Sequence, residues 1–229
     1  MSKDNKGLLK YLGSIFFGVL LTQRLPHDSY SIIQYIIRPI RLGNGVIYLS
    51  GLIPLILFII GIRGLFKLER FASKNKILIF LILITIVLPI MRNSLNTVRS
   101  TYYWLLKDNL ETIDLVDAKV SLAHSDKEEV TIKVSLELIN YSKNENEFRI
   151  RMHLPEAWKT YFGADYFEFD EEYTAHGHSN VTNITKEMTV QLVDGYNQQN
   201  IRHSQWYWET FRYEIYDDED TVWIVDHGI

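Results

Sequence analysis

Three apolar runs dominate the first hundred residues. Residues 45–62 hold 18 residues without a charge, and residues 77–91 form a second run of 15. A helix of about 20 apolar residues crosses the roughly 30 Å hydrocarbon core of a bilayer. The third run, residues 11–23, lies between Lys10 and Arg24, whose long side chains reach the two interfaces. These runs predict three membrane spans, at residues 8–25, 44–62 and 77–95.

A secretory signal is the alternative interpretation of the first run, because Lys3, Lys6 and Lys10 precede it. The residues that follow, Leu-Thr-Gln-Arg-Leu-Pro, lack the small-residue pattern of a cleavage site. We therefore favour an uncleaved anchor.

A cluster of isoleucines lies between the first two spans. In residues 30–41 they recur at helical spacing beside Arg38 and Arg41. This pattern predicts a helix in the membrane interface, and a loop packed on the other helices is an equal alternative.

The link between the second and third spans, residues 63–76, is basic. It carries five Lys or Arg residues against a single acidic one, Glu69. Short basic loops stay in the cytoplasm. The sequence therefore predicts a multi-pass protein with a cytoplasmic N-terminus and an extracytoplasmic C-terminal half.

The period of the pattern changes along the second half of the chain. Residues 92–116 keep apolar positions at three- and four-residue intervals and predict a helical stalk, with residues 102–104 as an aromatic belt or, preferably, a packing stripe. Residues 129–140 then alternate strictly, and residues 148–154 repeat the alternation, which predicts a hairpin. Further predicted strands are residues 118–123, 166–169, 187–193, 210–216 and 221–226.

These elements predict an α+β chain overall. Residues 1–91 form the transmembrane region, residues 92–116 the stalk, and residues 117–229 a mostly antiparallel β-sandwich. About seven short strands without long helices between them favour a sandwich over a parallel α/β fold.

Part of the second half resembles bacterial immunoglobulin-like sandwich domains. The resemblance covers about residues 117–193: a strand ending in Leu-Ile-Asn-Tyr-Ser, an arginine-rich partner strand ending in Leu-Pro-Glu, and a His-Gly-His-Ser-Asn turn that opens another strand. The cysteine pair of antibody domains is absent. The resemblance implies a binding or spacer module rather than an enzyme, although a fold does not determine a function.

Charge separates the two halves. Residues 1–110 contain 14 Lys+Arg and 4 Asp+Glu, whereas residues 111–229 contain 10 Lys+Arg and 24 Asp+Glu. The basic, apolar half fits a bilayer, and the acidic half argues against nucleic acid as a partner. With no cysteine, the chain has neither a disulfide nor a thiolate metal site.

Three groups of residues are candidate sites. His176 and His178 are candidate metal ligands, which His203, Asp165 or Glu172 would complete, although a polar loop is the simpler interpretation. The acidic run 217–220 is interpreted as a hairpin turn in preference to a calcium loop. The aromatic residues Trp206, Tyr207 and Trp208 are the predicted ligand-binding residues, with core packing as the alternative.

No hydrolase elbow, P-loop, dinucleotide fingerprint or zinc-protease helix occurs in the sequence. The sequence therefore predicts a non-enzymatic membrane protein without a cofactor, whose outer domain binds a ligand, the envelope or a partner protein. The alternatives are a metal-binding or hydrolytic domain at the histidine turn, and an accessory subunit of a transport or secretion complex. Three spans exceed what an anchor needs, so a membrane or envelope protein partner, or a homodimer, is expected.

Overall fold

The computed structural model describes residues 3–42, 45–105, 109–124, 129–203 and 209–228. It divides into two compact units. The helical unit comprises Met1–Arg24 and Ser31–Arg99, and the β unit comprises Leu25–Tyr30 and Ser100–Ile229.

The first elements of the chain are helices and one short hairpin. They are, in order, α1 (Lys3–Leu21), α2 (Ile32–Ile36), β1 (Ile40–Leu42), β2 (Gly45–Ile47), a 3-10 turn (Leu49–Gly51), α3 (Leu52–Phe66), α4 (Glu69–Ala72), α5 (Lys76–Ile82), a π turn (Leu83–Val87) and α6 (Leu88–Leu105). The π turn directly precedes Pro89, which has no N–H to donate and whose ring crowds the preceding turn. The turn relieves that conflict without breaking the helix.

Two helical stretches among the described residues are long and apolar enough to span a membrane, Leu49–Phe66 and Lys76–Leu105. By this criterion the structure supports two of the three predicted spans, and α1 does not meet it. The first run does form α1, but Lys3, Asp4 and Lys6 lie within that helix and lower its hydropathy. Only 6% of the apolar window of Lys76–Leu105 is buried within the chain, so its large side chains face their surroundings.

Helices α1 and α3 pack closely along their lengths. A Cβ atom on Gly64 would lie 2.1 Å from the Tyr11 ring, and one on Gly61 would lie 2.4 Å from Cγ1 of Ile15. Ser14 Oγ donates a hydrogen bond to the Leu57 carbonyl at 3.0 Å. Small residues that let two backbones approach, joined by an interhelical hydrogen bond, are typical of helix pairs in membranes.

Two predicted elements are shorter than expected. The interfacial helix predicted over residues 30–41 is only Ile32–Ile36, followed by the β1–β2 hairpin, because Pro39 excludes its predecessor from helical geometry. The stalk helix predicted over residues 92–116 ends at Leu105, and strand pairing has begun by Ile113. Tyr103 is completely buried and stacks on Tyr141, as the packing interpretation requires, whereas Tyr102 and Trp104 are exposed.

The β unit contains two antiparallel sheets. Its elements follow a 3-10 turn (Leu110–Thr112): β3 (Ile113–His124), β4 (Glu129–Asn140), β5 (Asn146–His153), α7 (Glu156–Phe162), β6 (Tyr166–Glu168), β7 (Tyr173–Ala175), β8 (Asn180–Gln191), α8 (Gln198–His203), β9 (Phe211–Tyr216) and β10 (Thr221–Asp226). Strands β3-β4-β8 form a three-stranded sheet, and β10-β9-β5-β6 form a larger sheet in which β7 also pairs with β5. Alternate side chains of β4 and β5 enter one shared hydrophobic core. The predicted hairpin β9–β10 is confirmed. The predicted hairpin β4–β5 is wrong, because β5 pairs with β9 whereas β4 pairs with β3 and β8.

Asn140 joins several loops at the end of β4. Its side chain is completely buried, and its Oδ1 accepts hydrogen bonds from Thr112 Oγ1 at 3.1 Å and the Ser142 N–H at 2.9 Å. Its Nδ2 donates to the carbonyls of Asn144 at 3.0 Å and Ala175 at 2.8 Å. A buried amide with donors and acceptors all engaged fixes the three chain segments that it touches.

Residues 25–30, here called the edge segment, belong to the β unit although they follow α1 in the chain. The Val225 N–H donates to the His27 carbonyl at 2.9 Å, and the Ser29 N–H donates to the Val225 carbonyl at 3.0 Å. Because β10 is the edge strand of its sheet, these bonds cover backbone groups that an edge leaves open.

Side chains strengthen the attachment of the edge segment. The His227 N–H donates to Ser29 Oγ at 2.9 Å, and the His227 ring stacks on Tyr30 with 3.8 Å between the ring centroids. Asp28 Oδ1 lies 3.3 Å from His227 Nε2. Burial raises the pKa of the neighbouring Asp226 carboxyl, against the hydrogen bonds that it accepts from Gly228 and Ser29.

Candidate ligand-binding face

The outward side chains of four adjacent strands form a regular grid, here called the aromatic face. The register places Trp223, Glu214, Arg151 and Glu168 in one row across β10, β9, β5 and β6. The two flanking rows are Thr221, Tyr216 and Arg149 on one side, and Val225, Arg212, His153 and Tyr166 on the other.

Alternation explains why these residues face outward. Phe211, Tyr213 and Ile215 of β9 are buried in the core, as are Val222 and Ile224 of β10. Since successive side chains of a strand point to opposite faces, their neighbours point away from the core. Trp223 is 47% exposed and Tyr166 is 43% exposed, so two large aromatic side chains stand on the outer surface of this sheet.

Charged side chains fill the space between the aromatic rings. The Arg151 guanidinium lies 4.1 Å from the Tyr216 ring centroid and 5.4 Å from that of Tyr166. Arg151 also pairs with Glu168 Oε2 at 3.3 Å and with Glu214 Oε2 at 3.8 Å. Contacts with both rings and both carboxylates hold the guanidinium at the centre of the face.

His153 organises the side of the face nearest Trp223. Its Nε2 lies 2.9 Å from Glu214 Oε2, and its ring centroid lies 4.7 Å from that of Trp223. Tyr166 contacts the same imidazole, with 5.6 Å between the ring centroids. The two exposed aromatic side chains therefore share one supporting histidine.

The protonation states of one pair on the face follow from its hydrogen bonds. Tyr216 donates its hydroxyl to Glu168, and Arg151 donates to the same carboxylate. These bonds lower the pKa of Glu168 below its ordinary value. Desolvation and the hydrogen bond to Glu168 raise the pKa of Tyr216. At neutral pH the face presents a carboxylate and a neutral phenol here.

A pocket of about 310 Å³ lies beside the aromatic face, within the β unit. Its lining includes Trp223 and Thr221 of β10, Glu111, and Pro26 and His27 of the edge segment. His27 is fixed there because its N–H donates to Asp114 Oδ1 at 2.8 Å. Trp223 therefore borders both the face and the pocket.

The sequence prediction located the binding residues elsewhere. Trp206, Tyr207 and Trp208 lie outside the described residues, so that prediction remains open. Trp223, Tyr166 and Tyr216 were not singled out from the sequence. Their signal is the alternation of β6, β9 and β10, which marks them as outward-facing, but alternation does not reveal which strands are neighbours.

The histidine turn has a structural partner. His176 Nδ1 lies 2.8 Å from Glu145 Oε1, and His178 adopts the left-handed backbone conformation, with φ of 63°. Within the described part of the chain, no three His, Cys, Asp or Glu side chains converge as a metal-binding group. Asp165 lies 3.5 Å from Lys159. A metal at this turn remains an untested hypothesis.

The acidic run 217–220 forms the predicted turn between β9 and β10. Asp217 Oδ1 accepts hydrogen bonds from the N–H groups of Glu219 at 2.7 Å and Asp220 at 2.6 Å. An aspartate that bonds the backbone two and three residues ahead is a common turn-forming arrangement.

Comparisons with known proteins do not assign a function to this chain. No protein-family model and no curated protein matches the chain. A β-glucuronidase from glycoside hydrolase family 2 is similar over 52% of this chain and 11% of its own, with 13% identity and a TM-score of 0.34. A family 2 glycosyl hydrolase from Bacteroides cellulosilyticus DSM 14838 is similar over 48% of this chain and 14% of its own, with 10% identity and a TM-score of 0.31. A protein from Archaeoglobus fulgidus is similar over 49% of this chain and 91% of its own, with 11% identity and a TM-score of 0.30. At TM-scores this low, the likenesses carry no argument about activity.

Proposed function

We propose that this protein is a non-enzymatic, membrane-anchored binding protein whose aromatic face binds a component of the cell envelope outside the cytoplasmic membrane. The exposure of Trp223 carries the proposal. Its indole is 47% exposed, while its strand neighbours Val222 and Ile224 are buried in the core. Exposing a tryptophan side chain to water costs free energy. Aromatic side chains that become buried when a ligand binds supply much of the binding free energy.

The support of the exposed rings strengthens the proposal. His153 contacts both Trp223 and Tyr166, and it is held by Glu214. Because neighbouring strands fix all these residues, little side-chain freedom remains to be lost when a ligand binds. We further propose that the two sheets pack as an immunoglobulin-like sandwich, which makes the face a rigid platform.

The two apolar helices support the membrane anchoring in this proposal. The edge segment and residues 100–229 belong to one unit, so in an anchored protein both would lie on the same side of the membrane. The intervening chain must then cross an even number of times, and it contains two apolar helices that would satisfy this condition. We propose that α1 crosses beside α3, because the two helices pack together along their lengths. The exposed surface of Lys76–Leu105 would contact lipid, a membrane partner or a second copy.

Orientation is tested with single cysteines, since the native chain has none. The basic link between α3 and α5 is expected in the cytoplasm. Asp218→Cys introduces a thiol at an exposed turn of the β unit, and we expect this thiol to react with a membrane-impermeant maleimide on intact cells. We expect a cysteine in Lys74→Cys to react only after permeabilisation. The opposite labelling pattern would show that the orientation is inverted.

The binding proposal is tested by capture of the full-length protein, in phosphatidylcholine nanodiscs, on cell-wall polysaccharide isolated from the source organism. Trp223→Ala is expected to weaken capture by about 25-fold or more, the loss typical of a central aromatic anchor. Val181→Ala is the control, because Val181 is 46% exposed on β8 of the other sheet.

Both variants should keep the thermal midpoint of the wild-type protein. Equal capture of wild type and Trp223→Ala would exclude the aromatic face as the binding site. Capture of neither protein would exclude the cell-wall polysaccharide as its ligand.

A further inference from the structure

We infer that the ligand of the aromatic face is an anionic glycan, whose sugar ring stacks on Trp223 and whose carboxylates are bound by Arg149 and Arg212. The inference rests on the proposed function and specifies the chemistry of its ligand.

The distribution of arginine is the first argument. Residues 111–229 contain only 10 Lys+Arg against 24 Asp+Glu. Four of those cations are arginines, and three of the four, Arg149, Arg151 and Arg212, lie on the aromatic face. Arginine binds carboxylates through two parallel hydrogen bonds, which lysine does not do. Most of the arginines of this strongly acidic half therefore lie on a single surface, the aromatic face.

The three arginines differ in the contacts that their side chains make. Arg151 is engaged by Glu168, Glu214 and two tyrosine rings, and it therefore serves the structure of the face. The side chains of Arg149 and Arg212 are exposed, and neither side chain forms a hydrogen bond or ion pair with the described residues, while the charge of Arg149 contributes to the lowered pKa of Glu168. Their guanidinium groups remain available to a ligand.

The register places the two available cations on either side of Trp223. Trp223 lies in the central row, Arg149 in one flanking row and Arg212 in the other. Rows are separated by two residues along a strand, or about 7 Å. A chain of sugars that stacks one ring on Trp223 therefore brings neighbouring substituents within reach of both guanidinium groups.

The surface favours a glycan over a peptide. The backbone groups of β9 and β5 are paired in the sheet, so a ligand on this face meets side chains alone. Peptides are usually recognised through backbone hydrogen bonds at a sheet edge or through a groove. A sugar ring needs neither, because its flat apolar side packs on an indole while its hydroxyls bond to polar groups such as Glu214 and His153.

The test uses the full-length protein in phosphatidylcholine nanodiscs, which carry no net lipid charge. The probes are oligosaccharides of galacturonate, alginate and hyaluronan, each as the free acid and as its methyl ester. The ester keeps the sugar ring and removes the charge. We expect at least one acid to bind about tenfold or more tightly than its ester, with an affinity that falls as salt is added.

The double variant Arg149→Gln, Arg212→Gln is expected to lose about tenfold or more of that affinity. The control is Lys119→Gln, Lys133→Gln, which removes the same charge from exposed positions of the three-stranded sheet and should bind as the wild type does. If the control loses as much affinity as the arginine variant, general electrostatic attraction explains the binding and the inference fails.

Two other outcomes separate this inference from the proposed function. If the esters bind as tightly as the acids and Trp223→Ala abolishes binding of both, the ligand is a neutral glycan: the proposed function stands and the inference fails. If none of the three acids binds up to about 1 mM, the inference fails as well. The cell-wall capture experiment then decides the proposed function independently.

Discussion

Asn140→Asp is expected to lower the free energy of unfolding of the β unit by about 4 kcal/mol at neutral pH. The introduced carboxylate still accepts the hydrogen bonds from Thr112 and Ser142, but it loses the amide protons that Asn140 donates to the carbonyls of Asn144 and Ala175. The buried Ala175 carbonyl then loses this donor, the Asn144 carbonyl keeps the hydroxyl of Ser142 as a donor, and a negative charge lies beside both oxygens. Each unsatisfied buried group costs about 1–3 kcal/mol, and the buried charge adds to that cost.

The pH dependence identifies the mechanism. Burial next to two carbonyl oxygens raises the pKa of the introduced carboxyl above its value in the unfolded chain, which is about 4. The variant therefore loses stability relative to wild type as the pH rises from about 4 through the raised pKa of the folded state. It recovers part of that stability in acid, where the carboxyl is protonated. A difference in stability that does not change with pH would show that lost packing, and not charge, causes the effect.

The measurement is the thermal midpoint of the full-length protein, which should fall by about 10 °C or more at pH 7. Asn183→Asp is the matched control, because Asn183 is exposed on β8. Glu137 lies opposite Asn183 in the sheet, and this like-charge pair should cost less than about 1 kcal/mol. Equal losses in the two variants would refute the role assigned to Asn140.

Gly61→Leu, Gly64→Leu is expected to separate α1 from α3. A Cβ on Gly61 would lie 2.9 Å from the Tyr11 carbonyl oxygen and 2.4 Å from Ile15, and one on Gly64 would lie within 2.5 Å of three atoms of the Tyr11 ring. Real Cβ atoms do not approach other atoms so closely, so the helices must move apart. The hydrogen bond from Ser14 to Leu57 would be lost with the close packing.

A disulfide reports the separation. In Gly18→Cys, Leu57→Cys the two Cβ atoms would lie 3.5 Å apart, within the range that a disulfide spans. No native cysteine competes, so labelling of free thiols with a polymer-linked maleimide after oxidation measures the yield directly. We expect the leucine substitutions to reduce the yield about tenfold, because the two cysteines then lie too far apart to be bridged.

The matched control for that experiment is Gly13→Leu, Gly51→Leu. A Cβ on either glycine meets nothing within 4 Å, and each substitution makes the same chemical change as in the test variant. The control should cross-link as the parent does. If both leucine variants cross-link fully, α1 does not depend on α3 for its position, and the proposal that the two helices cross the membrane together loses its support.

Strands with a regular pattern were predicted well from the sequence. The predicted bounds of β4, residues 129–140, are those of the structure, because Val130 to Leu138 alternate and one face is buried. In β8 only Ile184 is fully buried, so its pattern is weak, and residues 187–193 were predicted for a strand that spans Asn180–Gln191. Hydrophobic alternation arises because one face of a strand is buried, so an edge strand with little buried surface shows only a weak alternating pattern.

Helix α7 was missed although its sequence signals were present. Pro155 precedes it, Gly163 follows it with φ of 63°, and the buried Trp158 and Phe162 are one helical turn apart. Proline before a helix and a left-handed glycine after it are common boundaries. The segment is only seven residues long, which is too short for a helical period to be recognised.

The aromatic face could not be predicted from sequence patterns. Each strand marks its outward positions, but the pairing of β5 with β9 joins residues 61 apart, such as His153 and Glu214. Strand order depends on which apolar faces share a core, and a single sequence does not reveal that order. The two long apolar helices were easier to predict, because an uninterrupted apolar run of that length is visible in a single sequence.

The attachment of the edge segment has a consequence for biosynthesis. Residues 25–30 leave the ribosome early, yet the hydrogen bond between Ser29 and His227 joins residues 198 apart. During translation residues 25–30 have no strand to join until β10 has been synthesised. Contacts between such distant residues close slowly, because the loop entropy must be overcome first. The β unit therefore reaches its native state only after β10 has been synthesised, and until then residues 25–30 depend on whatever protects unfinished chains.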